Sequence, residues 1–273
     1  MASCYTFFMN MIHFYALSFL LCLLFTTLIF SLALRIKNNS IMDIGYGLTF
    51  IFTSIILSYL TLTERNLPLT SLLILFLILI WGFRLALRIY KRNKNKEEDF
   101  RYAVWRIEWS RHGKFYFIMR SYLQIYVLQA LIISIVLLPF TLSLTGSTLT
   151  FLSCVGILLW MIGFFFEAVG DAELDSFIAK RNTHGLRFLT TGLFAYTRHP
   201  NYFGESMMWL GLATISFGAG SSFIVYISPL LITTLLLFVS GIPMVEKRWH
   251  NDKEWEAYAK KTNAFFPFPS KNT

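Results

Sequence analysis

Residues 196–205 read YTRHPNYFGE, and the run that follows at 207–220 reads MMWLGLATISFGAG. The second stretch is apolar enough to enter a lipid bilayer. The first stretch, just before it, contains an arginine, a histidine, an asparagine and a glutamate. Ionisable groups in a membrane helix are costly and usually serve a function. We therefore interpret the first stretch as the polar mouth of a pocket from which a membrane helix begins.

The rest of the chain is also suited to a membrane. Of its 273 residues, 56% are hydrophobic and 14% are charged, whereas a soluble domain carries about 25% charged residues. A membrane span needs about 20 mainly apolar residues, and the runs lack the period-two alternation of β-strands. We predict an all-α integral membrane protein of a single domain, residues 1–273, with seven transmembrane helices. The seven runs lie at 11–34, 43–62, 68–90, 115–139, 148–169, 201–218 and 222–243.

The net charge is +9, and the basic residues that produce it lie mainly in the predicted loops. Basic residues cluster after the first span, around the third loop, in the fifth loop and after the last span, whereas only Arg65 lies in a loop on the other side. This is the positive-inside pattern. It predicts an outside N-terminus, a cytoplasmic C-terminus and no nucleic-acid partner, in a multi-pass protein of a bacterial inner membrane or an endoplasmic-reticulum-type membrane.

Polar residues collect at the predicted cytoplasmic ends of the spans. Asp43 opens the second span, and Asp171 and Asp175 lie four residues apart at the end of the fifth, so that they share one helix face. For the arginines at the end of the third span, snorkelling to the interface is the alternative to a functional role. The set comprises Asp43, Arg84, Arg88, Glu167, Asp171, Asp175 and Glu246.

The start of the sixth span has the features of an anion-binding helix end. Pro200 suits the first helical position because its missing N–H would lack an intrahelical partner there. Helix N-termini favour phosphate groups, and Arg198 and His199 add cationic or donor groups beside this one. Asn201 and Glu205, one turn apart, can bond amide or ribose groups. The stretch predicts a cofactor pocket at the cytoplasmic membrane face.

Four motifs in this order resemble those of bacterial and protist membrane proteins related to steroid 5-alpha-reductase, with the C-terminal domain of the 3-oxo-5-alpha-steroid 4-dehydrogenase type. The resemblance runs from about Asp43 to Pro269. It implies a seven-helix fold and an NADPH cavity on the cytoplasmic side, from which a hydride passes to a conjugated enone. The motifs are EEDFRY at 97–102, GFFFEAVGDAEL at 163–174, TGLFAYTRHPNYFGE at 191–205, and the tail with SGIPMVEKRW at 240–249 and YAKKTNAFFPFP at 258–269.

The resemblance also implies which residues hold the cofactor. Asn201 and Glu205 match the family's N-x-x-G-E residues, and Asp171 and Leu174 match its D-x-x-L motif. Together with the cationic and aromatic residues near these motifs, they concentrate in a C-terminal half at about 148–269. The predicted cofactor-binding residues are Arg84, Arg101, Tyr102, Asp171, Leu174, Arg187, Tyr196, Arg198, His199, Asn201, Glu205, Glu246 and Tyr258.

The predicted catalytic residues are Asp43, Tyr46 and Trp81. The steroid enzymes polarise the substrate carbonyl with a tyrosine and a glutamate, and here Trp81 and Asp43 stand in their places. An indole N–H can donate a hydrogen bond but cannot transfer a proton as an acid, so Tyr46 and Tyr102 are the alternative proton donors. Glu173 also departs from the family, since many relatives carry glutamine there.

These features favour an NADPH-dependent reductase that acts on a conjugated carbon–carbon double bond of a steroid, fatty or isoprenoid substrate. We expect the substrate to enter from the bilayer, membrane lipids as partners, a monomer and no metal. Methyltransferases of the isoprenylcysteine carboxyl type, which share a G-L-x-x-x-x-R-H-P-x-Y stretch and use S-adenosylmethionine, are the alternative enzyme class. A non-catalytic lipid-binding membrane protein is a third hypothesis.

Overall fold

The structure, a computed structural model, describes residues 2–146, 148–180, 185, 187–249 and 251–269, with side chains from residue 12 onward. Within this part of the chain, every regular element is a helix, apart from one isolated parallel bridge that pairs Thr197 with Asn263. The prediction of an all-α protein is therefore confirmed.

Six helices among the described residues are long and apolar enough to cross a membrane. Each coincides with one of the predicted spans. The remaining predicted span, 201–218, forms the helix Pro200–Gly218, which is not among the six. The number of seven spans and the orientation in the membrane therefore stay predictions. The six helices are Ile12–Ile36, Ile41–Glu64, Leu69–Asn93, Lys114–Val136, Phe151–Ala179 and Phe223–Trp249.

The chain divides into two compact units. Unit 1 comprises Met1–Leu149 and Ser216–Val225, and unit 2 comprises Thr150–Ile215 and Tyr226–Thr273. The single domain and its cofactor-binding half at about 148–269 stay predictions.

Unit 1 is built around a close crossing of its second and third helices. A Cβ atom added to Gly47 would lie 2.9 Å from the carbonyl oxygen of Gly82, so the two backbones are in contact at this point. Such an approach requires glycine on both helices. The helices of unit 1 are α1 (Ala2–Ile36), α2 (Ile41–Glu64), α3 (Leu69–Asn93), α4 (Phe100–Ser110), α5 (Lys114–Ser121), α6 (Leu128–Val136) and α7 (Leu138–Ser143), with a π-helical turn, Tyr122–Val127, between α5 and α6.

Unit 2 contains the helices that follow. A capping box of Thr150 and Ser153 starts the first of them, which satisfies backbone groups that the helix leaves open at its N-terminus. The second begins at Pro200, as the sequence predicts. The helices are α8 (Phe151–Ala179), α9 (Pro200–Gly218, of which 200–215 belong to unit 2), α10 (Ile227–Thr234), α11 (Ile242–Glu246) and α12 (Lys253–Lys261).

Glycines bring α8 and α9 into backbone contact along a seam. A Cβ atom at Gly163 would lie 2.5 Å from the carbonyl oxygen of Gly204, and one at Gly211 would lie 2.5 Å from that of Gly156. Gly204, which lies among the polar residues at the start of α9, is thus a point of close backbone approach. At the cytoplasmic end of this seam in the predicted topology, a Cβ atom at Gly170 would lie 2.9 Å from Cγ of Pro200. The seam therefore fixes the start of α9 against the acidic end of α8.

Candidate active site

Unit 1 gathers a polar cluster around Asp43, in the first turn of α2. Its Oδ1 accepts a 2.6 Å hydrogen bond from the hydroxyl of Tyr102, and its Oδ2 accepts a 3.0 Å hydrogen bond from Nη2 of Arg101. Arg101 also donates through Nε to Oδ1 of Asp99, the N-cap of α4, at 2.9 Å. The carboxyl group of Asp43 thus accepts hydrogen bonds from two donors that come from α4.

The loop before α4 is tied to the start of α2. The backbone N–H of Asn39 donates to Oε1 of Glu98 at 2.6 Å, and the N–H of Asp99 donates to Oγ of Ser40 at 2.7 Å. Glu98 also accepts two hydrogen bonds from Arg106, of 2.7 and 2.8 Å. The EEDFRY loop therefore holds Arg101 and Tyr102 in place. Sequence reasoning did not single out Glu98, Arg106 or Asn39.

Burial, together with the neighbouring charge of Asp43, raises the pKa of Tyr102 well above its ordinary value. The phenol consequently stays protonated at neutral pH and acts as a hydrogen-bond donor. It can hold the Asp43 carboxylate in one orientation, and it has a lone pair left to accept from a ligand.

The other predicted catalytic residues of unit 1 lie in one aromatic group. The ring centroids of Tyr46 and Trp81 are 6.2 Å apart, and that of Phe50 is 5.2 Å from Trp81, in edge-to-face arrangements. Tyr46 follows Asp43 by three residues and so lies on the same face of α2. Arg84 lies half-buried on α3, three residues after Trp81. Unit 1 thus brings Asp43, Arg101 and Tyr102 together, and separately Tyr46 and Trp81.

Unit 2 contains a second cluster, centred on Arg198. Its Nε and Nη2 donate to the two carboxylate oxygens of Glu246 at 2.8 and 3.2 Å, and its Nη1 donates to the carbonyl oxygens of Ala259 and Thr262 at 3.0 and 2.6 Å. His199 adds a hydrogen bond of 2.9 Å from Nε2 to Oε1 of Glu246. The side chain of Arg198 is only 11% exposed.

These contacts give Arg198 a structural role that the sequence did not predict. Its guanidinium joins the start of α9 to Glu246, near the end of the last candidate span, and to the C-terminal end of α12. The backbone supports the same junction, since the N–H of Arg198 donates to the carbonyl oxygen of Asn263 at 2.8 Å. The predicted contact of Arg198 with a cofactor anion stays a prediction. Such a contact would have to share a guanidinium that already donates to four oxygen atoms of the protein.

The turn before α9 is held by two further side chains. The Glu173 carboxylate accepts the backbone N–H of Leu193 at 2.9 Å, and the Tyr258 hydroxyl donates to the carbonyl oxygen of Phe194 at 2.6 Å. Gly192 has a positive φ of 63° and packs directly against the Glu173 carboxylate, so a larger residue would be strained there. Glu173 therefore positions the T-G-L-F turn in this chain.

The remaining predicted cofactor residues lie around the seam between α8 and α9. Asp171 is 2% exposed and follows Gly170, which packs against Pro200. Asn201 and Glu205 are half-buried in the first turns of α9. Leu174 is half-buried on α8, whereas Tyr196 and Arg187 are exposed. Arg187 forms an ion pair with Asp252 rather than with the Arg198 cluster.

The buried imidazole of His199 predicts a pH dependence of stability. Burial is the main cause that lowers its pKa below the ordinary 6.5, against the opposing effect of Glu246. The fold therefore favours the neutral ring, and its contribution is complete above about pH 6.5 and is lost as the pH falls through the lowered pKa. We expect the thermal midpoint of the purified protein to fall more steeply below pH 6.5 than that of His199→Gln. Equal slopes for the two proteins would contradict this assignment.

Comparison with known proteins gives one family match over most of the chain. The model of the family described as Protein of unknown function (DUF1295) matches residues 29–262. This range includes the polar clusters of both units.

Curated relatives match a shorter part of the chain. Steroid 5-alpha-reductase DET2 of Solanum lycopersicum is 30% identical over 115 residues, which are 42% of this chain and 41% of that protein. The 3-oxo-5-alpha-steroid 4-dehydrogenase 1 of Macaca fascicularis is 31% identical over 117 residues, 42% of this chain and 40% of the relative, and that of Homo sapiens is 30% identical with the same coverage. The match thus spans about two fifths of the length of these relatives. No solved structure matches the chain significantly.

Proposed function

The chain belongs to the family described as Protein of unknown function (DUF1295), a steroid 5-alpha-reductase-like family, and from this premise we propose a membrane-embedded, NADPH-dependent reductase. Its reaction is the saturation of a conjugated carbon–carbon double bond in a lipid-like substrate, which is a steroid, a fatty compound or an isoprenoid that enters from the bilayer. When bound, NADPH would supply the two electrons of this reduction as a hydride.

The observation that carries the proposal is the group of acidic and amide side chains at the seam between α8 and α9. Asp171 and Glu167 are buried on an apolar helix, and backbone contact brings that helix against the start of α9, where Asn201 and Glu205 lie. Carboxylates accept hydrogen bonds and amides both accept and donate them, which suits the hydroxyl and carboxamide groups of a dinucleotide.

A buried hydroxyl next to Glu205 in the chain is a further polar position on α9. Oγ of Ser206, next to Glu205, is buried without a hydrogen-bond partner among the described residues. Buried polar atoms are nearly always paired, so an unpaired one calls for a ligand, a water or an ion. The predicted residues of unit 2 with a direct part in holding the cofactor are then Asp171, Asn201 and Glu205.

For the chemical step, we assign Asp43, Tyr46 and Trp81 to the substrate carbonyl. Donors that face a developing enolate oxygen in a dry site lower the barrier to reduction. Both oxygens of Asp43 accept hydrogen bonds from the protein, and the 2.6 Å bond from Tyr102 fixes the position of that hydroxyl. The indole N–H of Trp81 and a tyrosine hydroxyl supply the donors, and a tyrosine delivers the proton.

The proposal includes the finer features of the topology. We propose that Pro200–Gly218 is a seventh transmembrane helix and that the N-terminus lies outside. The basic segments then face the cytoplasm, where the cofactor is available. The protein acts as a monomer surrounded by membrane lipids.

The test of this function is the retention of a dinucleotide on purification. We expect the detergent-solubilised protein to copurify with NADP(H) or to bind it in a calorimetric titration. Glu205→Ala should weaken binding by roughly 10- to 100-fold, since hydrogen bonds to charged groups contribute about 1.5–3 kcal/mol. Glu256→Ala, in the exposed first turn of α12, is the control and should bind like the wild type. The proposal fails if the wild type neither copurifies with NADP(H) nor binds it.

A ligand titration also distinguishes the reductase from the alternative enzyme class, the methyltransferases. A methyltransferase would be stabilised by S-adenosylmethionine and not by NADPH in a thermal-shift titration. A reductase gives the opposite result. A protein stabilised by neither would favour the non-catalytic hypothesis.

A further inference from the structure

A cavity of about 460 Å³ lies in unit 2 where the last candidate span ends. Its volume falls in the range of roughly 300–1,000 Å³ that is common for small-molecule sites. Every side chain in its wall is charged or an amide, which excludes an apolar ligand. The lining residues are Arg187, Lys247, Arg248, Asn251, Asp252, Lys253 and Glu254.

The wall of this cavity is held in a fixed arrangement by Asp252. Its Oδ1 caps α12 by accepting the backbone N–H groups of Glu254 and Trp255 at 3.0 and 3.3 Å, and its Oδ2 lies 2.5 Å from Nη1 of Arg187. The guanidinium groups of Arg187 and Arg248 also lie over the ring of Trp249, at 5.6 and 5.4 Å from its centroid. Two cationic groups are thereby held before any ligand arrives.

The charges of the wall favour an anion. Four cations and two carboxylates give a formal charge of +2. The carboxylate of Asp252 is already engaged by Arg187 and by the helix cap, which leaves Lys247, Arg248 and Lys253 opposed by Glu254 alone. Arginine matches phosphate oxygens with its planar fork and lysine binds phosphate as a point charge, so a phosphate ester is the ligand class that this wall fits.

The position of the cavity identifies the source of that phosphate. Lys247 and Arg248 lie in the last turn of the candidate span Phe223–Trp249, and nine residues before Lys247 the side chain of Phe238 is 73% exposed, as expected of a side chain that faces lipid. Basic clusters directly after a span attract anionic head groups, and tryptophan is enriched at this level of the membrane. We propose that the cavity is a binding site for the phosphate of an anionic phospholipid head group. The proposal does not depend on the proposed enzymatic function.

The test compares two variants that remove the same charge. Lys247→Gln with Lys253→Gln removes two cations of the wall that take no part in the ion pair with Asp252. Lys260→Gln with Lys261→Gln removes two exposed cations from the last turn of α12, outside the wall. Binding of phosphatidylglycerol and of phosphatidylcholine with the same acyl chains to the full-length protein in neutral detergent is measured by native mass spectrometry. Inorganic phosphate and NADPH are titrated in parallel.

We expect the wild type to prefer phosphatidylglycerol, the wall variant to bind it roughly 30-fold more weakly, and the control to stay close to the wild type. Glu254→Gln should bind it several-fold more tightly, a gain that misfolding cannot produce. The proposal is overturned if both double variants lose affinity equally, if the wild type does not distinguish the two lipids, or if the wall variant affects only NADPH or only inorganic phosphate. In the last two cases the phosphate belongs to the dinucleotide or to a free ion.

Discussion

Replacing Gly163 with leucine is expected to prevent unit 2 from folding. A Cβ atom at this position would lie 2.5 Å from the carbonyl oxygen of Gly204 and 2.6 Å from the backbone nitrogen of Met208. Both are backbone atoms of α9, so the clash cannot be relieved by a side-chain rotation and the two helices must separate. Overpacking typically costs about 1–3 kcal/mol, and more where the backbone has to move. The measurement is the yield of monodisperse protein after size-exclusion chromatography in detergent, with the thermal midpoint of whatever remains.

Met161→Leu is the matched control, because it introduces the same residue two positions earlier on α8. Met161 is 59% exposed, so its replacement should change the free energy of unfolding by no more than about 0.5 kcal/mol. If Gly163→Leu gave protein as abundant and as stable as Met161→Leu, the backbone contact between α8 and α9 would be refuted.

The six candidate spans could be predicted from the sequence, but the seam between α8 and α9 could be predicted only in part. Pro200 and Gly204 are informative on their own, because a proline marks a helix start and a glycine beside polar residues indicates a close approach. Gly156 and Gly163 were not singled out. Their spacing of seven residues matches that of Gly204 and Gly211, but it has meaning only once the two helices are known to pair in this register.

The candidate site, too, could be predicted from the sequence only in part. Motif reasoning selected Asp43, Arg101 and Tyr102, and the structure brings these three together. It also selected Arg198 and Glu246, but as separate cofactor contacts. Their direct pairing could not be derived, because 48 residues separate them along the chain and charge alone does not distinguish a ligand contact from an internal ion pair. The partners of Glu98 were missed for the same reason.

Arg198→Met is expected to destabilise unit 2 by about 3–5 kcal/mol, the range for removing one partner of a buried ion pair. The carboxylate of Glu246 would keep only its bond from His199, and the carbonyl groups of Ala259 and Thr262 would lose a shared donor. Because these carbonyls lie after the last candidate span, the C-terminal segment should detach first. Thermal unfolding measures the loss, and limited proteolysis detects cleavage between α12 and the C-terminus.

Arg187→Met is the control for this effect. It tests whether the loss of stability requires a buried ion pair or follows from removing any arginine–carboxylate pair in unit 2. Arg187 is 58% exposed in its ion pair with Asp252, against 11% for Arg198, and exposed pairs contribute about 0–1 kcal/mol. The Arg187 variant should therefore unfold close to the wild-type midpoint with its C-terminal segment still resistant to protease. Equal losses in the two variants, or a C-terminal segment that stays protected without Arg198, would show that the Arg198 cluster does not anchor this end of the chain.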